Sequence, residues 1–251
     1  MKKSSETTTM VRLSNVSKIF GSDEKKTVAV QDVSLSASSG ELLLVLGPSG
    51  SGKTTLLTLI AGLVKSTSGI ISLFGRNIES YSAKELQKIR AKRIGFIFQT
   101  FLLIDSLTVR ENVGVVLRFT GKTRNEAHHQ AMHLLEQFHV GHLADKFPRT
   151  LSQGEKQRVA VARAVANEGD LIIADEPTGC LESKQGFEII QLLKAYSRDK
   201  NRCVIVSSHD LRIGEFADRI LRMEDGALIA AGIKKVKRFI SCSSKYGEIL
   251  T

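Results

Sequence analysis

Residues Gly47-Pro48-Ser49-Gly50-Ser51-Gly52-Lys53-Thr54 spell G-x-x-x-x-G-K-S/T, a phosphate-cradling pattern that few folds can host. Its glycines let successive backbone N–H groups curl around an anion. A helix must follow, because its unpaired N–H groups and dipole put partial positive charge where phosphates lie. The neighbours agree. Leu42 to Leu46 is an apolar run of buried-strand length, and Leu56, Leu59 and Ile60 repeat at helical spacing after the loop. Lys53 can reach the outer phosphates and the Thr54 hydroxyl can ligate Mg²⁺. The candidate nucleotide-binding set is therefore Gly47, Pro48, Ser49, Gly50, Ser51, Gly52, Lys53, Thr54 and Thr55.

Alone, the loop implies a nucleoside triphosphate without separating kinases, GTPases, helicases and transport motors; the bland reading is a Gly/Ser-rich turn that binds nothing. The 251 residues suit one large domain or two intimate ones. No apolar run approaches the ~20 residues of a membrane span, and Met1 to Met10 is polar, without a signal core. The expectation is a cytosolic chain whose membrane role needs a separate partner. Cys180, Cys203 and Cys242 lack metal-ligand spacing and read as free thiols in a reducing compartment. The net charge of +10 fits either a scattered solvated surface or attraction to anionic lipid or nucleic acid. Lys234, Lys235, Lys237 and Arg238, with Ile233, Val236, Phe239 and Ile240, fit either a basic amphipathic helix on a membrane or a frayed polar tail.

Val11–Leu13, Val28–Val30 and Val33–Leu35 predict short strands, with breakers at Gly21–Asp23 and Ser38–Gly40, and Ile70 to Gly75 extends this β-rich part. An antiparallel sheet beside the nucleotide core is expected. Ser82/Glu85, Thr108/Glu111 and Thr123/Glu126 each match a capping box and predict helix starts. From Thr108 to about Phe147 the strand signal fades, which predicts a helical insert. Helices are then expected over Ser152–Val165, Ser183–Tyr196 and Asp210–Ala217. They alternate with strands Leu171–Asp175, Cys203–Ser207 and Arg219–Met223, which implies a parallel sheet with both faces covered.

A phosphate loop needs a second acid for its metal. Asp175 stands at the end of an apolar strand, where α/β sheets place ligands, and Glu176 follows as candidate general base. Three further segments occur in order: Phe96-Ile97-Phe98-Gln99, Leu151-Ser152-Gln153-Gly154-Glu155 and Ser207-Ser208-His209-Asp210. With the loop and Asp175-Glu176, these resemble the motifs of ABC-transporter ATPase subunits over about Val11 to Ile229.

The resemblance implies a phosphate-loop NTPase core with a parallel sheet flanked by helices, an antiparallel β subdomain and a helical subdomain. It divides the chain into a polar segment 1–10, an ATPase domain 11–231 with its helical subdomain at about 100–158, and a basic tail 232–251. It implies ATP and Mg²⁺ as ligands. Glu176, His209 and Gln99 would be catalytic, and Thr54, Gln99 and Asp175 would lie around the metal. Ser152, Gln153, Gly154 and Glu155 form the signature that closes on the nucleotide of a second subunit. Phe20 matches the adenine-stacking aromatic, though a core phenylalanine is its other reading. One loop and one signature per chain imply a dimer through the ATP sites, homomeric or heteromeric.

The signature departs from the family's LSGGQ at Gln153 and Glu155, and Glu182 stands where an aspartate is usual. Since the base, the metal acid and the lysine remain, an active ATPase is expected; whether these three residues slow it is open. Phe96–Gln99, Leu107–Val113 and Asp175–Gly179 resemble the branch that contains macrolide exporters, lipoprotein-releasing ATPases, heterocyst glycolipid exporters and the cell-division ATPase. That implies a peripheral subunit on the cytoplasmic face of the inner membrane. Its permease would bring a coupling helix to the Gln99 region and helical subdomain, for export or mechanotransmission. The alternative is a cell-division-type tether that regulates an envelope process without moving cargo. A repair or translation factor would need a coiled-coil insertion or a second ATPase domain, and a kinase would not need the signature, so no nucleic-acid partner is expected.

Overall fold

Alternation in the first forty positions builds two long strands rather than several short ones. The computed structural model describes residues 8–22, 25–198 and 202–229. Strands β1 (Thr9–Phe20) and β2 (Thr27–Ser38) are 12 residues each and pair antiparallel. The strands expected separately at Val28–Val30 and Val33–Leu35 are parts of one continuous strand, whose pairing with β1 runs through register irregularities. Asn15 (φ 51°) and Asp32 (φ 48°) take the left-handed conformation that short polar residues tolerate, and the Asn15 amide donates to the Asp32 carboxylate at 2.8 Å. Because β1 starts at Thr9, Thr9 and Met10 of the expected N-terminal segment belong to the sheet.

Next in the chain come strand β3 (Leu42–Leu46), helix α1 (Lys53–Ile60) and strands β4 (Ser68–Leu73) and β5 (Arg76–Asn77). β4 and β5 complete an antiparallel sheet of order β2-β1-β4-β5. Helix α2 (Ala83–Arg93), strand β6 (Ile94–Ile97) and helices α3 (Val109–Phe119), α4 (Arg124–Gln137) and α5 (Gln153–Val165) follow. Then β7 (Leu171–Asp175), α6 (Ser183–Arg198), β8 (Cys203–Ser208), β9 (Arg219–Glu224) and β10 (Ala227–Ile229) finish the order. The second sheet runs β10-β9-β3-β8-β7-β6. Its strands are parallel except β10.

The central parallel strands β3, β7 and β8 are apolar along nearly their whole length because both faces are covered. Leu42, Leu44 and Leu46 join Ile172, Ala174, Val204 and Val206 in a core closed by the helical insert and by α5 and α6. Leu43 and Val45 join Ile173, Cys203 and Ile205 in a core closed by α1 and the antiparallel sheet. From α1, Leu56, Leu57, Leu59 and Ile60 are fully buried in that second core, each adding about 1.5–3 kcal/mol of hydrophobic stabilisation. An eight-residue helix is marginal by itself, so packing holds α1 in place.

All three predicted capping boxes form, at Ser82/Glu85, Thr108/Glu111 and Thr123/Glu126. The segment expected as a helix over Asp210–Ala217 is instead a tight 3-10 turn over Leu211–Phe216. Its i→i+3 bonds, Ile213 N–H to Asp210 and Ala217 N–H to Gly214, fit a short connection between β8 and β9. The basic cluster at Lys234–Arg238, the rest of the tail 232–251 and Cys242 lie outside the described residues.

Between β6 and α3 the chain has no regular structure, and one buried side chain organises it. Asn112 accepts the Ile104 N–H at 2.7 Å and donates to the carbonyls of Ile104, Leu107 and Thr108 at 3.0–3.1 Å. It is fully buried, so deletion leaves backbone groups unpaired. Asn112→Ala is expected to lower stability by about 2–3 kcal/mol, read as a lower urea midpoint at unchanged slope. An unchanged midpoint would contradict this role.

Candidate functional site

The strand, loop and helix order predicted for Gly47 to Thr54 is present, and Gly52 caps α1 with no side-chain hydrogen bond. First-turn N–H groups are thus left for a ligand. Gly52 has φ 96°, and a Cβ there would lie 2.1 Å from the Ala29 carbonyl oxygen. Gly50 has φ 82° with nothing within 4 Å of a Cβ, so the loop is open at its crest. The Ser51 hydroxyl is buried without a hydrogen-bond partner. Lys53 is 6% exposed and folds back on the loop, its ammonium donating to the carbonyls of Gly47 (2.8 Å) and Pro48 (2.9 Å).

β7 delivers the acids. Asp175 is buried, and its Oδ2 accepts from the Thr54 hydroxyl at 2.8 Å. Glu176 follows with φ 46°, a left-handed conformation for a non-glycine residue that costs on the order of 1–3 kcal/mol. The bend turns its carboxylate into the site, 3.3 Å from the Lys53 ammonium and 3.0 Å from Nδ1 of His209. His209 lies just past β8, and its exposed ring reaches solvent. Gln99 is exposed two residues past β6, its amide 3.9 Å from where a Cβ on Gly179 would stand. The ends of four parallel strands therefore gather Lys53, Thr54, Gln99, Asp175, Glu176 and His209 at one edge of the sheet.

These donors suit a magnesium nucleotide. Thr54 and Asp175 offer hard oxygens side by side, and the open crest and orphaned Ser51 hydroxyl suit phosphate. Among the described residues no group of three or more His, Cys, Asp or Glu could hold a metal ion.

Two predicted parts stand apart from this centre. Phe20 ends β1 at 43% exposure with the Lys18 ammonium 4.9 Å from its ring centre; it is an exposed ring at the rim rather than a core residue. Ser152, Gln153, Gly154 and Glu155 form the first turn of α5, where a Cβ on Gly154 would meet Gln185 of α6 at 2.7 Å. No described hydrogen bond or ion pair joins them to the loop. The family resemblance implied a turn that closes on a nucleotide, which a free Ser152 hydroxyl would suit. Instead the Ser152 hydroxyl is engaged with Glu155, donating to Oε2 at 2.8 Å while accepting the Glu155 N–H. The extra charge of Glu155 is spent on the helix's own cap.

Two residues escaped the sequence reading. Arg163, in α5, donates to the carbonyls of Phe101 (2.7 Å) and Leu102 (2.6 Å), which ties α5 to the segment after Gln99. Ser207 bonds both acids at the end of β7. Long-range contacts of this kind leave no local pattern; the only trace at 207 is a polar residue in an apolar strand.

A family model described as ABC transporter matches residues 30–179. A putative hemin import ATP-binding protein of Staphylococcus haemolyticus is 39% identical over 220 residues, covering 87% of this chain and 98% of that protein. A macrolide export ATP-binding/permease protein of a Shewanella species is 38% identical over 88% of this chain, but this chain spans only 34% of it. Among solved structures, the dimeric post-hydrolysis state of the ATP-binding cassette MJ0796 with ADP and Pi superposes with a TM-score of 0.85 at 38% identity. The match covers 92% of this chain and 100% of that one; MJ0796 comes from Methanocaldococcus jannaschii.

The Ser152–Glu155 cap carries a pH signature. The Ser152 N–H and then its hydroxyl hold the Glu155 carboxyl below the ordinary value of 4.5. A group whose folded pKa is depressed stabilises fully above its ordinary value and loses that contribution as pH falls through the folded one. Glu155→Gln keeps a capping acceptor but does not titrate. The stability advantage of the native chain over Glu155→Gln in urea is therefore expected to be full at pH 7 and to shrink as pH falls below the ordinary value of 4.5 and through the lowered folded one. An advantage constant across that range would contradict the assignment.

Proposed function

The chain belongs to the ABC transporter family, and from that premise we propose that it is the ATP-hydrolysing subunit of a transporter, driving export or mechanotransmission through a separate permease. The observation that carries this is the hydrogen-bonded set at the sheet edge: Thr54 on Asp175 at 2.8 Å, and Lys53 and His209 on the two oxygens of Glu176 at 3.3 and 3.0 Å. Phosphate-binding lysine, metal-binding pair and general base are thereby in mutual reach.

ATP would lie along the loop, its phosphates on the α1 N-terminus and Lys53, its adenine against Phe20. Mg²⁺, held by Thr54 and Asp175 with Gln99 nearby, would neutralise charge on the phosphates. Glu176 accepts the proton of the attacking water, and His209 orients both that carboxylate and the γ-phosphate. Ser152–Glu155 has no link to the loop of its own chain, which supports two chains enclosing two nucleotides. The dimeric state of MJ0796 supports the same arrangement.

The permease would seat in a groove of about 370 Å³ lined by α2 and the turn after α1 on one side and by α3 and α5 on the other, with β6 at its floor. Phe96 and Phe98 stack at 4.2 Å along it, and Leu63 and the 71%-exposed Phe119 flank it. An apolar groove beside Gln99 suits a short amphipathic coupling helix. Among the described residues no helix is long and apolar enough to cross a membrane, which fits a peripheral subunit on the cytoplasmic face.

Glu176→Gln is expected to lower turnover about 10²–10⁴-fold and to accumulate an ATP-bound dimer on size exclusion. Normal hydrolysis by that variant would refute the base assignment. Phe119→Asp is expected to abolish co-purification of a membrane permease while ATP binding is retained; a permease still captured would place its seat elsewhere.

A further inference from the structure

We propose that Ser207 is a positioning residue that sets the metal-binding acid and the general base with one hydroxyl. The proposal rests on the hydrolytic reading above. Ser207 is fully buried in β8. Its Oγ donates to Oδ1 of Asp175 at 2.7 Å and accepts the N–H of Glu176 at 3.0 Å.

The sheet register explains why this position is special. Val45, Ser207 and Asp175 are directly paired across β3, β8 and β7. Along β8, Cys203 and Ile205 lie in the core that α1 closes. Alternation puts residue 207 on that same face, where an apolar side chain would continue the pattern. A hydroxyl stands there instead, beside the one buried carboxylate of the row. With Oδ1 held by Ser207, Oδ2 is the oxygen left for Thr54 at 2.8 Å, so the carboxylate plane is set toward the metal side.

The bond to the Glu176 N–H does the second task. Glu176 is at φ 46°, and a buried amide there needs an acceptor to keep that bend. The same strand end also reaches the Glu176 carboxylate through His209. β8 therefore grips the Asp175–Glu176 link at three points: carboxylate, amide and carboxylate again. Only a side chain that both donates and accepts can serve at 207, and serine and threonine satisfy that.

The test uses the full chain as native protein, Ser207→Ala and Ser207→Thr. Three quantities are read: ATP affinity in EDTA, Mn²⁺ affinity of the ADP complex by EPR, and kcat. Ser207→Ala is expected to weaken Mn²⁺ and lower kcat by about 10–100-fold each, with metal-free ATP affinity changed less than about twofold. Ser207→Thr is expected to restore both. If the alanine variant does not fold, Ser207→Val, isosteric with the threonine variant and unable to donate or accept, is read in the same way. Native-like Mn²⁺ affinity and kcat in the variant overturn the proposal. So does an equal loss of metal-free ATP affinity, which would mark a merely structural role. A native chain that binds ATP but never hydrolyses it overturns the hydrolytic reading instead, and the Mn²⁺ measurement still decides Ser207's hold on Asp175.

Discussion

The buried contact between Lys53 and Glu176 is the joint on which the site depends. The two side chains are 6% and 8% exposed and 3.3 Å apart. Charges taken out of water are costly unless each is fully partnered. Here two loop carbonyls share the ammonium, and His209 shares the carboxylate. The loop, β7 and β8 are thereby locked at one edge, and the strained backbone of Glu176 is held by contacts on both sides. On the proposed reading, a phosphate entering the loop would compete with Gly47 and Pro48 for the same ammonium, exchanging its partners rather than filling an empty charge.

The rest of the fold serves that edge. A sheet whose central strands are apolar on both faces gives two separate cores, and the polar groups of the site stand at its strand ends. Each end carries one instrument: the loop after β3, the acid pair after β7, histidine after β8 and glutamine after β6. Parallel pairing puts all of these at the same edge, which an antiparallel arrangement would have split between two edges. The helical insert meets the edge through Arg163 and Asn112, which pin the segment after Gln99 from α5 and α3.

Much of this was legible because it is local. A glycine pattern next to an apolar run, an acid closing a strand and a hydroxyl three residues before a glutamate each describe a few neighbouring residues, and all occupy the expected elements. The misreadings were local too. Val28–Val30 and Val33–Leu35 looked like separate strands because a bulge within a strand and a turn between strands use the same polar residues. The Asp210 segment looked α-helical because composition does not separate a 3-10 turn from an α-helix. Ser152 and Glu155 were recognised as part of the signature, yet that they form a capping box using up the Ser152 hydroxyl is a matter of geometry.

By itself the sequence determined the phosphate loop, the acids, the alternation of strands with helices and the family likeness, since each is written in short-range pattern. Only the tertiary structure decided which groups touch. It put Thr54 on Asp175 across 121 positions, placed Ser207 beneath both acids, exposed Phe20 at the rim and kept Ser152–Glu155 without a bond to the loop. The physical reason is that hydrogen bonding across a sheet is set by strand register and order. Register follows from how whole apolar faces pack, which no single stretch of the chain records.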